Sequence, residues 1–314
     1  MRKKFVNGIY RAIPMAALLV AIAAAQGQQM PSEYDQALKT LGKQGDFKSN
    51  VLKINIPRND LKVIVDGVAT PTPFGFAGWL AMTKGAHGDV MMGDLVLTQD
   101  EVNPVMSALL DHGLEVTAVH NHFFFEEPRI FYMHVMGHGT PAELAKMAKP
   151  AIDLIGNVPA SHTATTAAAS SGVQAGSMDT AKLAQIAGHD GEQTGQVYKI
   201  TVGRDDLQIK EMGATINARM GLNTWAAFFG SDQQAVIAGD VAMVESEVQP
   251  VLKALRSHGL SVVAIHQHMT DTRPMIFFLH YWGKGSASDL ATGFRAALDQ
   301  LGKNKPPVNS TARR

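Results

Sequence analysis

The sequence predicts an α+β protein of two duplicated domains, each a mainly antiparallel sheet covered by two main helices in a split-βαβ arrangement. Three observations carry that expectation. Val119-His120-Asn121-His122, followed by Pro128, Phe131 and His134, recurs as Ile265-His266-Gln267-His268, followed by Pro274, Phe277 and His280, an offset of 146 residues from His120 to His266. At that offset 51–139 aligns with 197–285 without a gap, with about a third of the pairs identical. Within each copy, segments of strand period surround one strongly periodic helix in the order strand, helix, strand, strand, helix, and links that short favour antiparallel pairing.

Taken in order, the chain opens with Arg2, Lys3 and Lys4 ahead of the apolar run Ala12–Ala25, the pattern of an export signal cleaved after Ala25. The run has 14 residues, fewer than the roughly 18–20 that span a bilayer. Residues 1–25 are therefore read as a signal peptide, and the mature protein as periplasmic or secreted with no membrane span. The first repeat occupies 31–156. Residues 157–178, rich in Ala, Ser and Thr, form a linker, the second repeat occupies 179–302, and 303–314 is a disordered tail.

Each repeat begins with a short amphipathic helix, Pro31–Gly42 and Asp179–Gly188, closed by a glycine suited to a left-handed cap. Leu52–Ile56 and Tyr198–Val202 alternate as half-buried strands, and the turn-like Pro57–Leu61 and Gly203–Leu207 predict hairpins directly after them. Further strands are expected around Gly75–Met82 and Val90–Leu97, matched by Gly221–Phe229 and Ala235–Met243. Trp79 and Trp225 read as core residues, and Gly93-Asp94 with Gly239-Asp240 as strand bends.

The central helix is the best marked element. Val102, Val105, Met106, Leu109 and Leu110 recur at helical spacing behind the capping box Thr98-Gln99-Asp100-Glu101. Pro104 and Pro250 fit near its first turn. His112-Gly113 and His258-Gly259 read as caps, where imidazole faces the negative end of the helix dipole. The closing helices are announced by Thr140-Pro141-Ala142-Glu143 and Ser286-Ala287-Ser288-Asp289.

Composition excludes several functions. Lys+Arg and Asp+Glu both total 28, so no charged field gathers nucleic acid. With no cysteine there are no disulfides and no thiol chemistry. No serine lies in a nucleophile elbow, and no Gly-rich loop resembles a phosphate cradle.

Arg58-Asn59-Asp60-Leu61-Lys62-Val63 with Asp66-Gly67-Val68, Met92–Thr98, Glu101–Met106 and Val116–His122 resemble the LppY/LpqO family of exported bacterial proteins, and the likeness extends over both halves. The resemblance implies export and lends no reaction. Several family members are lipoproteins, whereas this sequence has no cysteine to carry a lipid.

The histidines are the candidate site. Residues two apart on a strand share a face, so His120 with His122, and His266 with His268, can point together. An even loop register adds His134 and His280. Three neutral imidazoles form the ligand set of an open site for a divalent transition metal such as Zn. Glu126, Glu127 and Asp271 lie in the adjoining loops as possible carboxylate ligands or general bases, Glu126 and Glu127 being the catalytic candidates. Three functions fit: an exported protein binding a metal ion or small ligand, a metal-dependent hydrolase, and a structural envelope protein whose histidines form a polar network where the halves meet.

Overall fold

The computed structural model describes residues 28–160 and 172–303. The expected signal segment 1–25 lies outside the described residues, as do 161–171 of the linker and all of the tail beyond 303.

Helix α1 (Ser32–Leu41) stops where Gly42 turns left-handed at φ 65° and donates to the carbonyls of Leu38 and Lys39. Strands β1 (Gly45–Lys48) and β2 (Val51–Pro57) form a hairpin turned by Ser49 and Asn50, both at positive φ. This corrects the hairpin expected after β2. Pro57–Leu61 instead leads away into a small sheet of β3 (Val63–Val65), β4 (Val68–Thr70) and β8 (Glu126–Glu127). Strands β5 (Ala77–Lys84) and β6 (Asp89–Thr98) lead to α2 (Gln99–Asp111), β7 (Glu115–His120), β9 (Ile130–Gly139) and α3 (Pro141–Leu154).

The second half repeats the pattern as α4 (Thr180–Ala187), β10 (Gly191–Thr194), β11 (Val197–Gly203), β12 (Ile209–Glu211), β13 (Ala214–Ile216), β14 (Asn223–Gly230), β15 (Ala235–Val244), α5 (Glu245–Ser257), β16 (Ser261–His266), β17 (Ile276–Gly285) and α6 (Ala287–Leu298). The main sheets have the orders β1-β2-β5-β6-β9-β7 and β10-β11-β14-β15-β17-β16, antiparallel at every pairing. Strand β9 lies between β6 and β7, which α2 joins, and that is the split βαβ unit the sequence predicts.

Alternation along the strands gives each sheet two different faces. Leu52, Ile54, Leu80, Met91, Leu95, Met133 and Val135 face α1, α2 and α3 in one core, and the second half builds its own in the same way. The opposite faces meet each other. One cluster joins Val51, Ala81, Met92 and Met136 to Ile209, Met220, Leu222, Met269 and Phe278; another joins Phe74, Phe76, Phe123 and Tyr132 to Phe229, Val236 and Trp282. The molecule is thus a four-layer stack, helices, sheet, sheet, helices. The contacts are reciprocal: the 3-10 turn Thr72–Phe74 packs on β11 and β14, while its counterpart Ala218–Met220 packs on β2 and β5.

Two details of α2 depart from expectation. Pro104 lies in the second turn rather than the first, and Leu110 is exposed while Val105 and Leu109 are buried. The caps behave as read: His112 Nδ1 lies 2.8 Å from Ala108 O, and His258 Nδ1 lies 2.8 Å from Ala254 O.

A buried ion pair fastens each half. Arg58 donates to Asp60, to the carbonyl of Val96 and to both oxygens of Glu101 at 2.6 and 3.1 Å. Glu101 also accepts from the backbone N–H groups of Thr98 and Gly156, so one carboxylate caps α2 and ties down the end of α3. Arg204 and Glu247 repeat every one of these contacts, with Val244 and Gly302 as the backbone donors. Removing one member of a buried pair leaves an unpaired charge, costing about 3–5 kcal/mol. Glu101→Ala should therefore lower the urea unfolding free energy by about that much, and Glu247→Ala should match it. A loss below about 1 kcal/mol would place these pairs in the weak surface class.

Candidate functional site between the sheets

The inner faces carry polar residues in register. Asn55 pairs with Trp79, Trp79 with Asp94, and Asp94 with His134, so one row of side chains crosses β2, β5, β6 and β9. Thr201, Trp225, Asp240 and His280 form the same row in the second half. Two residues along, Lys53 and Lys199 extend from β2 and β11 on the same faces. His120 pairs with Tyr132, two residues from His134, so the loop does close with even register; His266 pairs with Phe278 likewise.

Face-to-face packing brings all six recurrent histidines together. Tyr132 stacks on His122 at 3.2 Å between ring centroids, and His122 on His280 at 3.5 Å. Across the pseudo-two-fold, Phe278 stacks on His268 at 3.4 Å and His268 lies 3.8 Å from His134. His120 and His266 stack between them at 3.7 Å. The expected triads within each half are therefore not the groups that form. Ring nitrogens converge as His120, His134 and His266, and as His120, His122 and His280, within 4.8 Å of one another. Both groups mix the halves, because the nearest imidazole across the interface is closer than the next one along the strand.

Burial sets the charge of the cluster. It holds the His120 imidazole down to about 4 and the other five well below their ordinary range, with mutual repulsion among the rings reinforcing the effect. At neutral pH all six are uncharged bases with lone pairs. His134 Nδ1 and His280 Nδ1 meet the carbonyls of Gly93 and Gly239 at 3.3 and 3.2 Å, which leaves their Nε2 atoms facing the cluster. His134 Nε2 lies 3.2 Å from His266 Nε2. Seven further ring nitrogens, on His120, His122, His266, His268 and His280, are buried without a hydrogen-bond partner.

Glu126 and Glu127 do not join the imidazoles. Strand β8 pairs with β3 and directs both glutamates to a separate cavity beside Arg58, Glu101 and Arg129. Burial raises the Glu126 carboxyl, one of whose oxygens has no partner. The carboxyls that do lie near the histidines are Asp94 and Asp240. They share a cavity of about 560 Å³ with His122, His268, His280, Lys53, Lys199, Trp79 and Trp225. The strand-bend reading is thereby corrected, while the two tryptophans pack against the inner clusters as core residues and line the cavity as well. β6 runs unbroken through Gly93, where a Cβ would come within 2.5 Å of Leu80 and 2.8 Å of Val135, so the glycine serves close packing. Trp79 and Trp225 are half-buried cavity walls. The clue was available in the sequence: Lys53, Trp79 and Asp94 are identical to their partners 146 residues on, although about two thirds of the aligned pairs differ.

These features define a class, a duplicated α+β protein with a histidine cluster and a polar cavity enclosed between its two sheets. The family described as Domain of Unknown Function (DUF1259) matches residues 35–154 and again 181–300, and the chain belongs to that family as two tandem copies. No curated protein matches. Similar solved structures include the crystal structure of a trimeric bacterial microcompartment shell protein PduB, at 11% identity over 82% of this chain and 90% of that one, with a TM-score of 0.21. EtuB from Clostridium kluyveri is 7% identical over 82% of this chain and 91% of its own, also at 0.21. Likeness at that level fixes neither fold nor function.

Burial pushes the Asp94 carboxyl up to about 8, with Lys53 and Lys199 opposing the shift. The folded state then binds a proton that the unfolded chain has lost, so this group's stabilisation falls as pH rises toward 8. Between pH 6.5 and 8 the wild type should lose denaturation midpoint relative to Asp94→Asn, which cannot ionise. Parallel pH curves for the two proteins would show that Asp94 is already charged.

Proposed function

We propose that the chain is an exported protein of the LppY/LpqO type that holds a divalent transition metal ion, such as zinc, in the imidazole cluster. The observation that carries this reading is the set of seven buried ring nitrogens without partners. Each unsatisfied buried polar group costs about 1–3 kcal/mol, and a metal ion satisfies several imidazole lone pairs at a single point. The donor set suits it: neutral imidazoles are zinc, copper, iron or nickel ligands. Two nitrogens bound at about 2.0–2.1 Å in a tetrahedron lie about 3.3–3.4 Å apart, close to the 3.2 Å between His134 Nε2 and His266 Nε2. His120, His134 and His266 would supply one ligand group, and His120, His122 and His280 another. Export is proposed from the basic and apolar pattern of residues 1–25.

A metal-dependent hydrolase is the second reading, favoured by one observation: Asp94 and Asp240, a carboxyl kept in both halves, share the cavity with His122, His268 and His280. Such an enzyme needs a proton-transfer group at that place.

Untagged protein from cells grown with mixed metals should carry a transition metal by mass spectrometry, and His134→Ala and His266→Ala should lose most of it. At a free metal concentration 100 times Kd, the ion should add about 2.7 kcal/mol, raising Tm by roughly 5–10 °C in a chain of this size. A protein that takes up no metal at pH 7.5 would leave the imidazoles as the polar network of a structural envelope protein.

The pH dependence follows from burial. Because the folded rings are held below their ordinary range, His120 at about 4, metal should be retained at pH 6 and released toward pH 4. Over the same window the metal-free protein should lose stability, since unfolded imidazoles take up protons below about 6.5 that the folded ones refuse. Metal release centred above pH 6.5 would contradict this.

A further inference from the structure

We propose that the cavity between the sheets binds a small organic acid, its carboxylate between Lys53 and Lys199 and its flat body against the indoles of Trp79 and Trp225. The inference does not depend on the metal reading. The cavity, about 560 Å³, is of a size that encloses a small molecule, and both halves contribute matching walls.

Charge argues for an anion. Lys53 and Lys199 are half-buried on inner strands, and among the described residues no carboxylate lies within ion-pair distance of either ammonium group. Their contacts are instead with π faces: Lys53 Nζ lies 4.5 Å from the Trp79 ring centre, and Lys199 Nζ lies 3.9 Å from that of Trp225. The Lys53 charge raises the cost of charging Lys199 across the interface, and that of Arg219 raises the cost of charging Lys53. Burial also draws both down to about 8, which leaves them mostly charged at neutral pH.

Asp94 and Asp240 attract the two lysines electrostatically, but among the described residues neither carboxyl forms an ion pair with them. Burial holds the carboxyls of Asp94 and Asp240 toward the protonated form, and Asp94 Oδ1 is buried without a partner. Arg219, also on the cavity wall, pairs with Asp46 at 2.9 Å through one terminal nitrogen, while its Nε is buried without a partner. Asp190 and Glu192 stand on the β10 side of the cavity. A neutral ligand would leave two half-buried ammonium groups without an ion-pair partner, whereas a carboxylate supplies one to both. A protonated Asp94 could then donate a hydrogen bond to it.

Shape argues for a flat body. The indole of Trp79 reaches across to the second half at Gly221, whose φ is 96° and where a Cβ would come within 3.1 Å of Trp79 Cη2. The two tryptophans thus wall the cavity from both sheets, and their faces suit an aromatic or similarly planar ligand.

Isothermal titration of chelator-treated protein with benzoate, and with benzamide as its uncharged counterpart, tests the proposal. Benzoate should bind one per chain and at least about tenfold more tightly than benzamide, the difference that charge-assisted hydrogen bonds supply. Lys53→Met and Lys199→Met should each weaken benzoate by at least about tenfold, while Lys53→Arg, which keeps the charge, should retain binding. Near-ultraviolet circular dichroism checks that the variants are folded. Should the methionine variants fail to fold, the benzoate to benzamide ratio and the arginine variant still decide. His266→Ala, at a ring outside the cavity lining, should keep benzoate affinity within a few-fold even where it removes metal, which separates the two readings. Equal binding of acid and amide, no binding of benzoate, or a methionine variant that is folded and unaffected would overturn the proposal.

Discussion

Everything in this molecule depends on covering the second face of each sheet. The helices of each half cover one face, and a sheet of this size with its other face in water would expose Ala81, Met92, Met136 and their counterparts. Duplication supplies a partner of the same dimensions. The two inner faces close on each other about a pseudo-two-fold, with hydrophobic clusters on either side and polar rows in the middle. An antiparallel sheet can ordinarily leave one face to solvent; here neither sheet does.

That packing gives the polar residues their chemistry. A histidine two residues from the end of an exposed strand would titrate near 6.5. Placed between two sheets and stacked on other imidazoles, it stays neutral far below that, and so do all six. The same burial moves Asp94 and Asp240 toward the acid form and draws Lys53 and Lys199 toward the amine. A concentration of shifted groups in one cavity is the usual mark of a functional site. The buried Arg58–Glu101 and Arg204–Glu247 pairs keep the surrounding frame rigid, since each joins the loop after a strand to a helix start and a helix end. They do no work at the site, but a cavity wall that flexed would blur its geometry.

Local signals were legible because they act over a few residues. The capping box at Thr98 and Glu101, the left-handed Gly42 and Gly188, and the imidazole caps at His112 and His258 all stand where their spacing places them. Where a local signal competed with a distant contact, the distant contact won. Pro57–Leu61 has turn chemistry, but burial of Arg58 against Glu101 carries the chain away from the hairpin. Glu126 follows the His-x-His motif closely in sequence, yet pairing of β8 with β3 takes it to another cavity. Trp79 has the composition of a core residue, and only the presence of Lys53 over its ring and Gly221 against its edge makes it a wall.

By itself the sequence determined the duplication, the α+β class, the order of elements and the identity of the six histidines, because periodicity, capping and an ungapped offset are properties of neighbours along the chain. Tertiary structure alone decided which histidines meet. His134 is adjacent in space to His266 and His268, which are more than 130 residues away, rather than to His122. It also decided that Asp94 and Lys53 belong to the site, since whether a polar residue on a strand faces water or a second sheet depends on how two halves dock, and no local pattern encodes that.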